Sequence, residues 1–519
     1  MNSEHHARHT SAISPTRPLA VALLLLLALA LSGAFAQADD TLTVRARSGA
    51  DIETMDPAFY SGNEEYNLDQ IVFSKLIRYA PGEPEYVLDA AEEFEISDDG
   101  TVVEFKLREG IQFHHGYGEM TAEDVKFSYE RYLDEDLDSP YASDWGTLDR
   151  VEVTGRYSGR IILDEAYAPL LTATLPWTPG SILSQAAFED RGEAIATQPV
   201  GSGPYVWSDW NPNQEIVLER FSEYFGEAPD FERIVVEPIT DAQIAEFSFD
   251  TRELDATEIS LESLDRYDDQ EGVAVEVLDT LRYHWLGFNQ RHEPFDDVRV
   301  REAVRYAVDV DEILQGAYNG VPNRADTMLA PSILGHWEDA PRYEPDLERA
   351  RELLAEAGYP DGFSTTISTD NVTVHQQSAT IVQQQLRRVG IEAEIDIVQD
   401  MYVTVSENNT PGLHYASFSA IIDPGYWFEW FKCDQMGQWN YWGWCNEEYD
   451  EIHAQASRTA DPQERAELYV QLQQIIDEDV SAIWVTNGAS VYVYRPDQID
   501  PVFLAMYAQY QYWENLATD

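Results

Sequence analysis

Between Phe418 and Tyr449 the chain carries five of its 13 tryptophans, Trp427, Trp430, Trp439, Trp442 and Trp444, together with both of its cysteines, Cys433 and Cys445. Flat rings at that density give broad contact area at small entropic cost, which suits either a core wedge or a wall against which a ligand lies. Other chemistry is hard to find. There is no Gly-x-Ser-x-Gly elbow, no His-Glu-x-x-His pair and no phosphate loop, since none of Lys75, Lys106, Lys126 and Lys432 follows a glycine. His114 and His115 are adjacent, and neighbours on a strand point apart, so no metal ligand set is expected there and no cofactor elsewhere. Among 95 acidic residues some carboxylate pair always falls at glycosidase spacing, so a secreted glycoside hydrolase stands as the competing class without a signal of its own.

The N-terminus reads as a secretory leader over residues 1–36. Arg8 and Arg17 precede an apolar run from Leu19 to Leu31, and Ala34-Phe35-Ala36 offers small residues before Gln37. Leu31-Ser32-Gly33 is followed by Ala34 rather than a cysteine, so a free periplasmic protein is expected rather than an acylated one. The two cysteines, 12 positions apart in an oxidising compartment, then pair as one disulfide around a short loop.

The formal net charge is −62, with 33 basic residues. Nucleic acid is excluded as a partner, because no basic face can be assembled. The acids are spread along the chain, which reads as a halophilic surface whose self-repulsion salt relieves.

The elements that must position any site alternate in the manner of α/β lobes. Residues 363–369 read as a strand, 373–389 as a helix ending at Gly390, and 391–397 as an alternating strand, a βαβ unit with parallel strands. One helix is expected over 294–318, another over 345–358, and a third opening at Asp461-Pro462. Strands are expected at 41–47, 102–107, 159–164, 215–219, 233–238 and 273–278.

A resemblance organises these pieces. Asp51-Ile-Glu-Thr-Met-Asp-Pro57, Phe105-Lys-Leu-Arg-Glu-Gly-Ile-Gln-Phe-His-His-Gly116 with Thr121-Ala-Glu-Asp-Val-Lys-Phe127, Pro199-Val-Gly-Ser-Gly-Pro-Tyr205, Gly287-Phe-Asn289 and Pro294-Phe-Asp-Asp-Val-Arg-Val-Arg-Glu-Ala-Val304 occur in order. Together they resemble the extracytoplasmic solute-binding proteins of ABC importers, family 5, the dipeptide, oligopeptide and nickel-binding type. The resemblance implies a two-lobed α/β fold of the periplasmic-binding-protein kind, with mixed sheets flanked by helices and a ligand cleft between lobes. Lobe one would span 37–282 with an inserted subdomain at about 75–191, lobe two 283–494, and residues 495–519 would return to lobe one. Most motif residues, Gly201, Gly203, Arg301 and Asp309 among them, read as scaffold.

It further implies a non-catalytic monomer that captures a small solute and delivers it to the permease subunits. The hinge strand would present His284 and Trp285 to the cleft, the tryptophan segment would supply Trp427 and Trp430, and Asp423, Tyr60, Asn63 and Glu64 would complete the contacts. The dipeptide-binding branch departs from this chain at both grips. Its amine-binding aspartate aligns with Ala420, and no arginine occurs from Gly362 to Leu386 to hold a carboxylate. A free dipeptide bound in that manner would leave buried charges unpaired. The expected solute is therefore a longer or modified peptide, with an oligosaccharide stacked on the tryptophans as the alternative and a cationic complex third.

Overall fold

The computed structural model describes residues 43–60, 62–80, 86–504 and 507–517; the expected leader lies outside them. Two mixed sheets carry the chain. The first has seven strands in the order Ala274–Asp279, Ala489–Tyr494, Ala256–Ile259, Thr43–Ser48, Arg233–Pro238, Glu215–Arg220 and Tyr205–Asn211. Thr43–Ser48 runs parallel to both of its neighbours, and its alternate residues Val44 and Ala46 are buried. The second sheet orders Ile391–Ile397, Phe363–Thr369, Leu413–Ser419, Arg282–Phe288 and Ala482–Thr486. Its first pair is the anticipated βαβ unit: Phe363 pairs with Ile391 in parallel register, and helix Thr373–Arg387 covers the crossover. A separate four-stranded antiparallel sheet, Ala91–Ile96, Val102–Leu107, Ser158–Leu163 and Leu148–Val153, packs around Val103, Phe105, Trp145 and Ile161.

Two departures from the sequence reading have clear causes. The helix expected over 294–318 is two, Val298–Ala307 and Val310–Ala317. Val308 is extended between them, and Asp309 caps the second by accepting from the Glu312 amide at 3.0 Å. Buried Gln385 then satisfies both backbone groups of Asp309, accepting from its N–H at 3.1 Å and donating to its carbonyl at 3.0 Å. The second departure is the lobe boundary. Residues 489–494 are expected in lobe two, yet Val491 and Val493 pair with Ile259 and Thr257 of the first sheet, so the strand Ala489–Tyr494 already belongs to that sheet. Alternation in that strand reads the same in either sheet, and only pairing decides it.

The motif glycines act as expected of scaffold. A Cβ on Gly201 would sit 1.8 Å from the Val72 carbonyl oxygen, so only glycine lets these backbones meet. His114, buried, shares a 3.0 Å hydrogen bond with the Gly203 carbonyl, and burial lowers its pKa to about 4. This histidine holds the same junction. Among the described residues no cluster of three or more His, Cys, Asp or Glu could hold a metal ion.

Candidate functional site

The lobes are joined by two adjacent crossovers, one between the strands Ala274–Asp279 and Arg282–Phe288, the other between Ala482–Thr486 and Ala489–Tyr494. Thr280 ties them by donating its hydroxyl to the Asn487 carbonyl at 2.5 Å. Gly488 beside it has φ +78°, and a Cβ there would meet Thr280 Oγ1 at 2.9 Å and His284 Nε2 at 3.2 Å. At this junction lies a cavity of about 320 Å³. Lobe one lines it with Arg47, Ser48, Glu64, Glu258 and Ser490, the crossovers with Thr280 and Gly488, and lobe two with Arg282, His284, Tyr318 and Val374.

Strand periodicity selects which side chains of the crossover reach this space. Along Arg282–Phe288, residues two apart share a face. Arg282 and His284 line the cavity, whereas Tyr283 and Trp285 lie in the aromatic core. His284 is held from behind: its Nδ1 is 3.1 Å from the Tyr318 hydroxyl and 3.2 Å from His375 Nε2. His375 Nδ1 is in turn 2.7 Å from Asp370 Oδ1, and the Tyr318 hydroxyl is 3.0 Å from that of Tyr415. Burial drives the His284 pKa well below its ordinary value, and the neighbouring His375 and Arg282 push the same way, so His284 is neutral. Asp370 is also partly withdrawn from water, which raises its pKa, but the hydrogen bond and charge of His375 outweigh this and leave it lowered.

Two other charged side chains of the wall, those of Arg47 and Glu64, are occupied. Arg47 spends Nε on the Ile239 carbonyl at 2.7 Å and Nη1 on that of Glu258 at 3.2 Å. Glu64 accepts from the Ala50 amide at 3.1 Å. Among the described residues no hydrogen bond or ion pair engages the Arg282 guanidinium or the Glu258 carboxylate, although the Arg282 charge helps to lower the pKa of Asp370.

Of the residues expected at the site, Glu64 and His284 meet in this cavity. Tyr60 is buried in lobe one, with its hydroxyl directed to the Met55 carbonyl at 3.3 Å. The Asn63 side chain lies outside what the structure describes; its backbone opens the helix Asn63–Val72. Trp285 is fully buried, 4.8 Å from Phe418 and 5.1 Å from Trp442 between ring centroids. Trp427, 0% exposed, stacks on Tyr283 at 5.1 Å and donates its indole N–H to the Ile421 carbonyl at 2.8 Å. Both rings belong to the core rather than to a wall. Asp423 is consumed by buried Arg465, whose Nη2 reaches both carboxylate oxygens.

Trp430 is half-buried beside exposed Tyr426 and Trp439, and these three keep open ring surface. The tryptophan segment is thus mostly wedge. Trp442 stacks on Phe431 at 3.7 Å, Trp444 donates to Asp479 at 2.8 Å, and Asn440 donates to the carbonyl of Trp444 at 2.7 Å inside the Cys433–Cys445 disulfide loop.

The lobes also touch away from the cavity. Tyr66 and Trp177 of lobe one pack with the cluster that contains Tyr283 and Trp427, and the Thr172 hydroxyl donates to Asp423 across the junction. Near this contact Asp144 has its carboxyl raised to about 7, by burial first and then by the charge of Asp423. Arg282, Tyr318 and Asp144 were not picked out from sequence. For Arg282 a signal existed, namely its two-residue spacing from His284 on an alternating strand.

Comparisons with known proteins agree with this arrangement. A profile described as "Bacterial extracellular solute-binding proteins, family 5 Middle" matches residues 85–438. The glutathione-binding protein GsiB of Escherichia coli K12 is 29% identical over 476 residues, 88% of this chain and 90% of that protein. Its counterpart from Shigella boydii is 30% identical over 477 residues, with the same shares. Among solved structures, the periplasmic binding protein DppA from Helicobacter pylori in complex with the peptide STSA superposes with a TM-score of 0.76 at 26% identity, covering 90% of this chain and 97% of that one. NikA from Brucella suis in complex with Fe(III)-EDTA gives 0.82 at 23%, covering 92% and 100%, a likeness of fold. With its two sheets, its paired crossovers and a profile match over most of its length, the chain belongs to family 5 of the bacterial extracellular solute-binding proteins.

Proposed function

We propose that this protein captures a peptide-like solute in the cavity between its lobes, in the periplasm, and delivers it to the permease of an ABC importer. Family membership makes it a substrate-binding protein rather than an enzyme, which removes the hydrolase alternative. The observation that carries the choice of solute is the charge pattern of the cavity: carboxylates of Glu64 and Glu258 and the guanidinium of Arg282 surround one space of about 320 Å³, with the neutral imidazole of His284 beside them. A zwitterionic solute needs groups of both signs, whereas a neutral sugar needs hydroxyl partners and an open ring face. The relatives named for glutathione and the structure that holds STSA support the same class. Contact from both lobes makes the shut form the binding form, and the shut form is what membrane subunits can read.

Native mass spectrometry of freshly purified protein, followed by thermal melts with glutathione, tri- and tetrapeptides and oligosaccharides, tests this reading. A co-purified peptide mass, or saturable stabilisation by peptides, is expected. Hexose increments with stabilisation by oligosaccharides alone would replace it with the sugar reading, for which Trp430, Tyr426 and Trp439 provide the ring surface.

A further inference from the structure

Of the 33 basic residues in this chain all but four are arginine, and most described arginines are spent on a carboxylate or on backbone carbonyls. Arg465 pairs with Asp423, Arg131 with Asp56 at 2.8 Å and Arg305 with Asp477 at 3.1 Å. Arg301 caps the Asp479 and Phe295 carbonyls. Arg282 makes no such contact among the described residues, although it is only partly exposed and stands in a protein with 95 acidic side chains. An arginine half withdrawn from water forgoes several strong hydrogen bonds unless something else supplies them.

On the same strand face, His284 presents the cavity with Nε2. Its Nδ1 is engaged by Tyr318 and His375, and no described hydrogen bond engages Nε2. In the tautomer in which Nδ1 accepts from the Tyr318 hydroxyl, the ring hydrogen resides on Nε2. Arg282 and His284 then form a pair of adjacent donors at the hinge, where both strand crossovers pass.

We propose that Arg282, seconded by His284 Nε2, is the carboxylate grip of the solute site. The proposal rests on the peptide reading above and adds which end of the solute the hinge holds. It also answers the deficit seen in sequence: the carboxylate partner missing between Gly362 and Leu386 is replaced by an arginine on a different element. Arg282 is the first residue of the strand that follows the crossover from Asp279, which puts it at the hinge end of lobe two.

The test uses calorimetric titration of the solute-stripped full-length protein and its Arg282→Gln variant. The probes are glutathione, trialanine and tetraalanine with free C-terminal carboxylates, the matching alanine peptide amides, and glutarate as a bare dicarboxylate. The free acids are expected to lose about 10- to 100-fold in affinity in Arg282→Gln, as for a charge-assisted hydrogen bond. The amides should bind wild type and variant alike, and Arg282→Lys should recover part of the loss. Equal loss for acids and amides, or no loss for either, would overturn the grip while leaving the peptide reading intact. Stabilisation of wild type but not Arg282→Gln by glutarate, with no peptide binding, would support the grip and sink the peptide reading. Failure of every probe with wild type would sink both. Melting temperatures of both variants verify that lost affinity is not lost folding.

Discussion

Nη2 of Arg465 lies 2.9 and 2.8 Å from the two carboxylate oxygens of Asp423, and both side chains are buried. Asp423 also caps the short helix Pro424–Glu429 through the Gly425 amide at 2.8 Å and accepts from Thr172 of lobe one. One carboxylate therefore fixes a helix start, a helix-to-helix packing and an interlobe contact.

Removing the cation alone should be costly. Arg465→Leu leaves a buried, uncompensated carboxylate, and a loss of about 3 to 5 kcal/mol in unfolding free energy is expected from urea titration at pH 7. Asp423→Asn in the Arg465→Leu background should restore a large part of it, since the orphaned charge is then gone. If the double variant is no more stable than the single, Asp423 is not destabilised by losing its partner.

The tryptophans divide by burial. Trp427→Ala empties a fully buried site stacked on Tyr283 and should destabilise by about 3 to 5 kcal/mol. Trp430→Ala removes a half-buried ring and should cost about 1 kcal/mol or less, with any effect falling on solute affinity. Chemical denaturation of the two variants side by side decides the point. Comparable losses for both would place Trp430 in the core as well.

The scaffold was largely legible in the sequence, because period-two and helical patterns with clear stops are local signals. The βαβ unit at 363–397 was read to within two residues at its helix end. What failed was tertiary. Whether Trp427 faces a core or a cleft depends on Tyr283, 144 positions away (427 − 283), and whether Asp423 is free depends on Arg465. Ring density signals burial and binding equally, so the sequence could not separate wedge from wall. Glu64 and His284, expected from the family resemblance, line the cavity; Arg282 was passed over although its two-residue spacing from His284 put it on the same strand face, because its lack of a hydrogen-bond or ion-pair partner shows only in three dimensions.

Acid and base should act on opposite sides of neutrality. Asp144, with its carboxyl raised to about 7 from 3.8, favours the protonated form when folded, so its contribution is present below pH 3.8 and is lost as pH rises to 7. Asp144→Asn should therefore match wild type near pH 4 and exceed it by about 1 to 3 kcal/mol at pH 8. His414 behaves oppositely. Burial lowers its pKa to about 3, so its neutral form supports folding above pH 6.5 and that support is lost as pH falls toward 3. Urea midpoints of wild type and Asp144→Asn between pH 4 and 8.5 test the first claim; a constant difference across that range would refute it.

Ionic strength is the remaining lever, and it separates the surface from the interior. A net charge of −62 repels itself over the whole surface, and the Debye length falls from about 10 Å at 0.1 M to about 3 Å at 1 M salt. Melting temperature should therefore rise steadily with NaCl over this range. The buried pairs should not offset the gain: Lys75 and Asp69, 2.6 Å apart, and Arg465 with Asp423 are shielded from solvent ions, whereas exposed pairs such as Arg160 with Glu104 contribute little to begin with. Titrating NaCl from 0.1 to 2 M at fixed pH, with an equal-osmolality sucrose series as control, tests the argument. A melting temperature that is flat or falls with NaCl would mean that the acids are already paired or neutralised, and that the surface is not held back by its own charge.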